Sequence, residues 1–250
     1  MTHPKLTALG ADPARAAILL DFDGTLAPIV SRPEEVAPVP GAREVLAALA
    51  TRFRLVAVVS GRPTSDLERL IGLDGVRYEG LYGLPGGLTA PDVLRTRAED
   101  VAKAVPEAWV EPKGATVAVH YRQAVDPVSA RAALAPALVA LAEDTGHELF
   151  EGKMVFELAP AGESRKGGAV DRLVRGDGLE AALYAGDDLP DLEAFAALDQ
   201  LAADGLIAVK VAVGGPATPE ALRKDADVVV DDPASLVTLL RELGGIDASR

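Results

Sequence analysis

Ala16-Ala17-Ile18-Leu19-Leu20-Asp21-Phe22-Asp23-Gly24-Thr25 is the stretch that decides the fold. An unbroken apolar run ends at once in a carboxylate, an aromatic ring, a second carboxylate and a glycine. A strand buried on both faces of a parallel sheet reads this way, and such sheets present their ligands at the carboxyl ends of the strands. Alternation by two residues puts Asp21 and Asp23 on one side of the chain. Gly24 lets the backbone turn sharply and come close to a ligand.

Working outward, Leu55–Val59 repeats the apolar run and ends in Ser60-Gly61-Arg62. Between the two runs, Gly41 to Phe53 carries Val45, Leu46, Leu49 and Phe53 on one helical face. Pro63 to Ile71 reads as a helix with proline in its first turn, where no amide donor is needed. Ala181–Ala185, Ile207–Val213 and Val228–Val230 follow, each separated by a helical segment. These βα repeats predict an α/β protein with a doubly wound, mostly parallel, Rossmann-like sheet.

From Leu88 to Ala159 the pattern changes. It reads helix (Pro91–Val105), strand (Ala108–Val110), strand (Thr116–Arg122), helix (Pro127–Thr145), then strands Glu148–Phe150 and Met154–Leu158 joined by a turn at Glu151-Gly152-Lys153. Consecutive strands with short connections favour an antiparallel sheet with helices on one side. The expected division is therefore a core of residues 1–86 and 162–250 interrupted by an α+β cap of residues 87–161. Hinges are expected near Gly86–Gly87 and Gly162.

Composition narrows the function. The 250 residues carry 25 Lys+Arg against 38 Asp+Glu, a formal net charge of −13, which disfavours nucleic acid and anionic membranes as partners. With no cysteine and only His3, His120 and His147, thiolate chemistry is excluded and a histidine-rich zinc site is disfavoured. The longest apolar run, Ala132 to Ala142, contains Pro136 and is too short to span a bilayer. No secretory pattern is visible, so a cytoplasmic location is expected. Oligomeric state is not readable from the pattern.

The chemistry gathers at strand ends. Gly186-Asp187-Asp188 closes another strand and Asp191 opens the next helix, so up to five acids can share one crevice. Two carboxylates ~5 Å apart repel by about 3 kcal/mol at an effective dielectric of ~20, so such a group calls for a hard divalent cation, Mg²⁺ above all. Ser60-Gly61-Arg62 offers a hydroxyl and free backbone amides, and Lys166-Gly167 a point charge, to a phosphoryl group.

Taken in order, Asp21-Phe22-Asp23-Gly24-Thr25, Ser60, Lys166 and Gly186-Asp187-Asp188 resemble the haloacid dehalogenase-like phosphatases over the whole chain, and a cap between the Ser and Lys motifs resembles that superfamily's C2 type. Leu26-Ala27-Pro28-Ile29, Ser60-Gly61-Arg62, His120-Tyr121-Arg122 and Gly152-Lys153 with Glu157 are similar to the trehalose-6-phosphate phosphatase family. The resemblance implies that Asp21 attacks phosphorus to give an aspartyl-phosphate and that Asp23 protonates the leaving sugar oxygen, then activates water. It implies Mg²⁺ on Asp21, the Asp23 carbonyl and Asp187, with Asp188 or Asp191 behind or completing the set, and Ser60 and Lys166 on the phosphoryl group. Gly61, Arg62, Lys113, His120, Arg122, Lys153 and Glu157 are then candidates for binding a small-molecule sugar phosphate. In a strand, His120 and Arg122 share one face.

Two departures stand out. Tyr82, in Gly80-Leu81-Tyr82-Gly83, replaces the family's usual His and the acid that follows it is missing, and Leu189-Pro190-Asp191 replaces Thr-Asp. The substrate readings are trehalose 6-phosphate or another phosphorylated disaccharide, glucosylglycerol or pseudo-sugar, with phosphomutase activity as a further variant. A non-catalytic phosphosugar-binding module is a reading from another class, and the presence of Asp21, Asp23, Lys166 and Asp187 argues against it.

Overall fold

β1 (Ala16–Leu20) is buried along its whole length and is central to a six-stranded parallel sheet. On one side it pairs with β2 (Leu55–Val59), which pairs with β3 (Val76–Glu79). On the other it pairs with β8 (Ala181–Gly186), followed by β9 (Ile207–Val213) and β10 (Val228–Val230). Strand order therefore reverses between β1 and β8, the place where an open α/β sheet forms its crevice. These coordinates are a computed structural model, which describes residues 3–32, 35–83, 89–161, 166–214 and 218–246.

Alternation along β1 sends Ile18 and Leu20 to one face and Ala17 and Leu19 to the other. The first face packs on α1 (Pro4–Ala11), α2 (Ala42–Arg52), α3 (Thr64–Ile71) and α9 (Pro233–Gly244) through Leu9, Leu49, Leu67 and Leu240. The second packs on α6 (Lys166–Gly176), α7 (Asp191–Ala203) and α8 (Glu220–Asp225) through Leu173, Phe195, Leu198 and Leu222. Helices on both faces make the sheet doubly wound, as the apolar runs predicted. The pattern did not foretell α1.

The chain divides into two units, Met1–Gly83 with Ser164–Arg250, and Leu84–Glu163. The second unit holds α4 (Asp92–Ala102), α5 (Pro127–Thr145) and an antiparallel sheet in the order β4-β5-β7-β6. Its strands are β4 (Trp109–Pro112), β5 (Val117–His120), β6 (His147–Gly152) and β7 (Val155–Pro160). Val117, Val119, Phe156 and Leu158 pack on the helices, so alternation turns Ala118, His120 and Glu157 to the other face.

Three local expectations change. β5 ends at His120, and Tyr121 donates its amide to Met154 O at 3.1 Å before the chain turns, so Arg122 does not share a strand face with His120. The β6–β7 turn is Lys153-Met154, with Met154 at φ +57°, because β6 runs on through Gly152. β6 begins one residue before the expected Glu148, at His147, whose Nδ1 lies 2.8 Å from Thr145 O. The expected hinges at Gly86–Gly87 and Gly162 lie outside the described residues. Among those described, no helix is long and apolar enough to cross a membrane.

Candidate active site

The register of β1 on β8 sets the first acids side by side. Asp21 donates its amide to Ala185 O at 2.9 Å, which carries the pairing past the end of β1 and brings the Asp21 carboxylate beside Asp187. Asp21, Asp187 and Asp191 each offer an oxygen within 4.8 Å of the others, and all three are buried. Gly24 makes this approach possible. Its φ is +84°, and a Cβ there would lie 2.0 Å from Asp187 Oδ2. Thr25 Oγ1 donates to Asp187 Oδ1 at 3.3 Å, a tie that the quoted motif contains but its spacing does not announce.

Asp191 is a framework acid. Its Oδ1 accepts from Lys166 Nζ at 2.6 Å and from the Tyr184 hydroxyl at 2.8 Å, and its Oδ2 accepts from the amides of Asp187 at 2.8 Å and Asp188 at 2.9 Å. Those bonds use the acceptor capacity of a carboxylate, so Asp191 fixes the Asp187-Asp188 turn and Lys166 instead of offering itself to a cation. Asp188 turns its own Oδ1 to the Leu189 amide at 2.8 Å. That leaves Asp21 and Asp187 as the clustered acids that could ligate an ion.

Lys166, the first residue of α6, is buried and bridges Asp191 and Asp21 Oδ1, the latter at 2.8 Å. Burial by itself would push its ammonium down, but the charges of Asp191 and Asp21 and the bonds to both hold it above its ordinary range. Burial pushes the Asp21 carboxyl well above the usual carboxylate range; Lys166 pulls it back, and Asp191 and Asp187 push it up again. Burial, with the charge of Asp191 next, also raises the Tyr184 phenol, which stays a donor. Three buried carboxylates against one buried ammonium, all oxygen donors, fit a hard divalent cation at Asp21 and Asp187.

Asp23 has a different setting. Its carboxylate receives Arg62 Nε on Oδ2 and Nη2 on Oδ1, both at 2.7 Å, and the Arg62 guanidinium carbon lies 5.6 Å from the Phe22 ring centroid. Ser60 is buried and its Oγ accepts from the Arg62 amide at 3.3 Å. The turn after β3 grips this loop: Tyr82 donates its amide to Ser60 O at 2.8 Å and Leu81 to Arg62 O at 2.9 Å. Leu81 and Tyr82 take φ of +51° and +58°, a strain of ~1–3 kcal/mol per residue that such ties must hold. The Tyr82 ring thereby sits 6.0 Å from Lys166 Nζ and presses on Gly61, where a Cβ would meet its hydroxyl at 2.5 Å.

In the second unit, His120 Nε2 lies 2.7 Å from Glu111 Oε2 and its ring stacks on Trp109 at 4.6 Å. Glu157 accepts from Thr116 Oγ1 at 2.5 Å and pairs with Lys113 at 3.7 Å. The structure thus brings Lys113, His120 and Glu157 to one sheet region, with Arg122 and Lys153 in the turns beyond β5 and β6. Glu111 and Trp109 were missed by sequence reasoning. Their two-residue spacing opposite Ala118 and His120 in the register is the signal that could have found them. Tyr184 was missed as well; a tyrosine inside the apolar run Ala181–Ala185 is its signal.

A doubly wound sheet with these acids at its switch point, interrupted by an α+β unit, defines a haloacid dehalogenase-like protein of the C2-capped type. The trehalose-phosphatase family model matches residues 19–85 and 88–228, and the chain belongs to that family. A trehalose-phosphate phosphatase of Mycobacterium avium is 36% identical over 208 residues, 73% of this chain and 51% of that protein. An uncharacterized glycosyl hydrolase of Mycobacterium tuberculosis is 37% identical over 206 residues, 74% of this chain but 15% of that protein. The chain therefore spans about half the length of the first relative and far less of the second. The C-terminal domain of Candida albicans trehalose-6-phosphate phosphatase shares the fold at a TM-score of 0.84 and 23% identity, covering 99% of this chain and 98% of that one.

Proposed function

We propose that the chain hydrolyses trehalose 6-phosphate to trehalose and inorganic phosphate with Mg²⁺. The observation that carries this reading is the buried Asp21–Lys166–Asp191 constellation beside Asp187 in a member of the trehalose-phosphatase family. Asp21 is the nucleophile. Its Oδ1 is held by Lys166, which leaves Oδ2 to attack phosphorus as the bond to the sugar oxygen breaks. Asp23 gives a proton to that leaving oxygen, then takes one from the water that opens the aspartyl-phosphate, so that both acids return to their starting state.

Lys166, Ser60 and the Gly61 amide hold the phosphoryl oxygens, where most of the catalysis lies. Asp21 and Asp187, with the Asp23 carbonyl, would hold the cation, and a set of hard oxygen donors without sulfur favours Mg²⁺. When bound, the ion neutralises charge on the nucleophile and the phosphoryl group. In the second unit, Lys113, His120, Arg122, Lys153 and Glu157, with Glu111, supply donors and acceptors for sugar hydroxyls.

Tyr82, where the family usually carries His, favours a second substrate reading: another phosphorylated disaccharide, glucosylglycerol or pseudo-sugar. Phosphate release across a panel of these esters with Mg²⁺ decides between them. The first reading expects trehalose 6-phosphate to have the highest kcat/KM; a relative turned over much faster would replace it.

A further inference from the structure

Leu81, Tyr82 and Gly83 take φ of +51°, +58° and +78°, a run of left-handed residues of which only the last is glycine. Large side chains rarely adopt that conformation, and such strain persists where surrounding contacts over-determine it. Here they do. The Leu81 amide donates to Arg62 O at 2.9 Å, the Tyr82 amide to Ser60 O at 2.8 Å and the Gly83 amide to Gly80 O at 2.9 Å. Arg172 of α6 donates to Gly83 O at 3.3 Å and to Glu79 Oε2 at 2.9 Å. Gly80 lets the turn come this close, since a Cβ there would lie 2.3 Å from the Thr64 amide nitrogen.

What the strained turn delivers is an aromatic ring. The half-buried Tyr82 phenol fills the space where a side chain on Gly61 would stand: a Cβ there would lie 2.5 Å from its hydroxyl oxygen and 2.6 Å from its Cζ. The same ring has its centroid 6.0 Å from Lys166 Nζ. A φ in the ordinary negative range would re-aim the Tyr82 Cα–Cβ bond, so the strain and the placement of the ring go together. We propose that Tyr82 is a positioning residue of the phosphoryl site, a wedge that sets the spacing of the Gly61 amide and the Lys166 ammonium. This rests on the reading that those two groups hold the phosphoryl oxygens, and it applies to either substrate reading because both esters carry the same phosphoryl group.

Each partner needs the ring for a different reason. Gly61 has no side chain of its own with which to pack, so the position of its backbone between Ser60 and Arg62 depends on what lies against it. Lys166 is bonded to Asp21 and Asp191, and the ring adds a contact that is not a carboxylate, attracting the ammonium through its π-system without offering it an acceptor oxygen. A rigid ring touching both fixes one relative to the other. The reward is large, because a displacement of ~1 Å in such a site costs about 10²-fold in rate.

The test compares wild type with Tyr82→Gly and Tyr82→Phe on two esters, the sugar phosphate turned over fastest and p-nitrophenyl phosphate, with orthovanadate as an inhibitor shaped like the transferring phosphoryl group. Tyr82→Gly removes the ring while its left-handed backbone suits glycine, so the turn and its amide bonds stay. Per folded molecule, with the folded fraction fixed by thermal melts, kcat/KM of that variant should fall at least about tenfold and equally on both esters. Its inhibition constant for orthovanadate should rise by a similar factor, because a transition-state mimic reads the same geometry. Tyr82→Phe keeps the wedge and should stay within about threefold of wild type on both esters. Tyr82→Asn, which the left-handed region tolerates, replaces the Gly variant if that one does not fold. A loss confined to the sugar ester would put Tyr82 on the sugar and overturn the proposal. So would a ring-less variant that keeps kcat/KM and orthovanadate inhibition within about threefold of wild type. Wild type that releases phosphate from neither ester would overturn the phosphatase reading itself, a result distinct from an active wild type with indifferent variants.

Discussion

At the residue scale, Asp191 and Asp187 are both buried acids of one cluster and have opposite duties. Asp191 is spent on Lys166, Tyr184 and two backbone amides, whereas Asp187 faces Asp21 across the Gly24 turn. A divalent cation that binds the folded protein raises its melting temperature by mass action. We expect Asp187→Asn to abolish that Mg²⁺-dependent rise. Asp191→Asn should lower the melting temperature without metal, since breaking a buried charge pair costs ~3–5 kcal/mol, and should leave part of the rise intact. Equal loss of the rise in both variants would make Asp191 a ligand. The motif spacing put Asp21, Asp187 and Asp191 at strand ends where they could converge, because strand ends and chemistry are both local properties. What Asp191 and Asp23 hold was illegible, since Lys166 and Arg62 come from 25 and 39 residues away and only the folded register pairs them.

At the scale of elements, the apolar runs were read well because a strand covered on both faces leaves no other pattern. The second unit was harder. Gly152 looks like the natural left-handed turn residue, yet the pairing of Gly152 with Val155 carries β6 two residues past the expected Phe150 and Met154 takes φ +57°. β5 likewise stops at His120, so its last residue is the buried histidine between Trp109 and Glu111. Burial pushes the His120 imidazole below its ordinary 6.5; the Glu111 hydrogen bond opposes this, and Lys113 and Arg122 add to it. The charged form is thus penalised in the folded state. Stability is full above about pH 6.5 and falls as pH drops below it, where the unfolded chain takes up a proton that the folded one resists. Melting temperatures from pH 7.5 to 5 should therefore decline less steeply in His120→Gln than in wild type. Matching slopes would show that His120 is not the group responsible.

For the whole molecule, a net charge of −13 is an odd starting point for the proposed reaction on an anionic ester. The acids of the cluster account for part of that charge and fit a cation, so with an ion bound the local field would be set by Lys166 and the ion, not by the total. The central claim is that Asp21 carries the phosphoryl group from a sugar phosphate to water. Its most direct test is phosphate release from trehalose 6-phosphate, with saturating Mg²⁺, by wild type and by folded Asp21→Asn. The account predicts steady multiple turnover by wild type and a loss of at least about 10⁴-fold in the variant, the scale seen when a nucleophile is removed. Retention of more than a few per cent of wild-type activity by Asp21→Asn would contradict it.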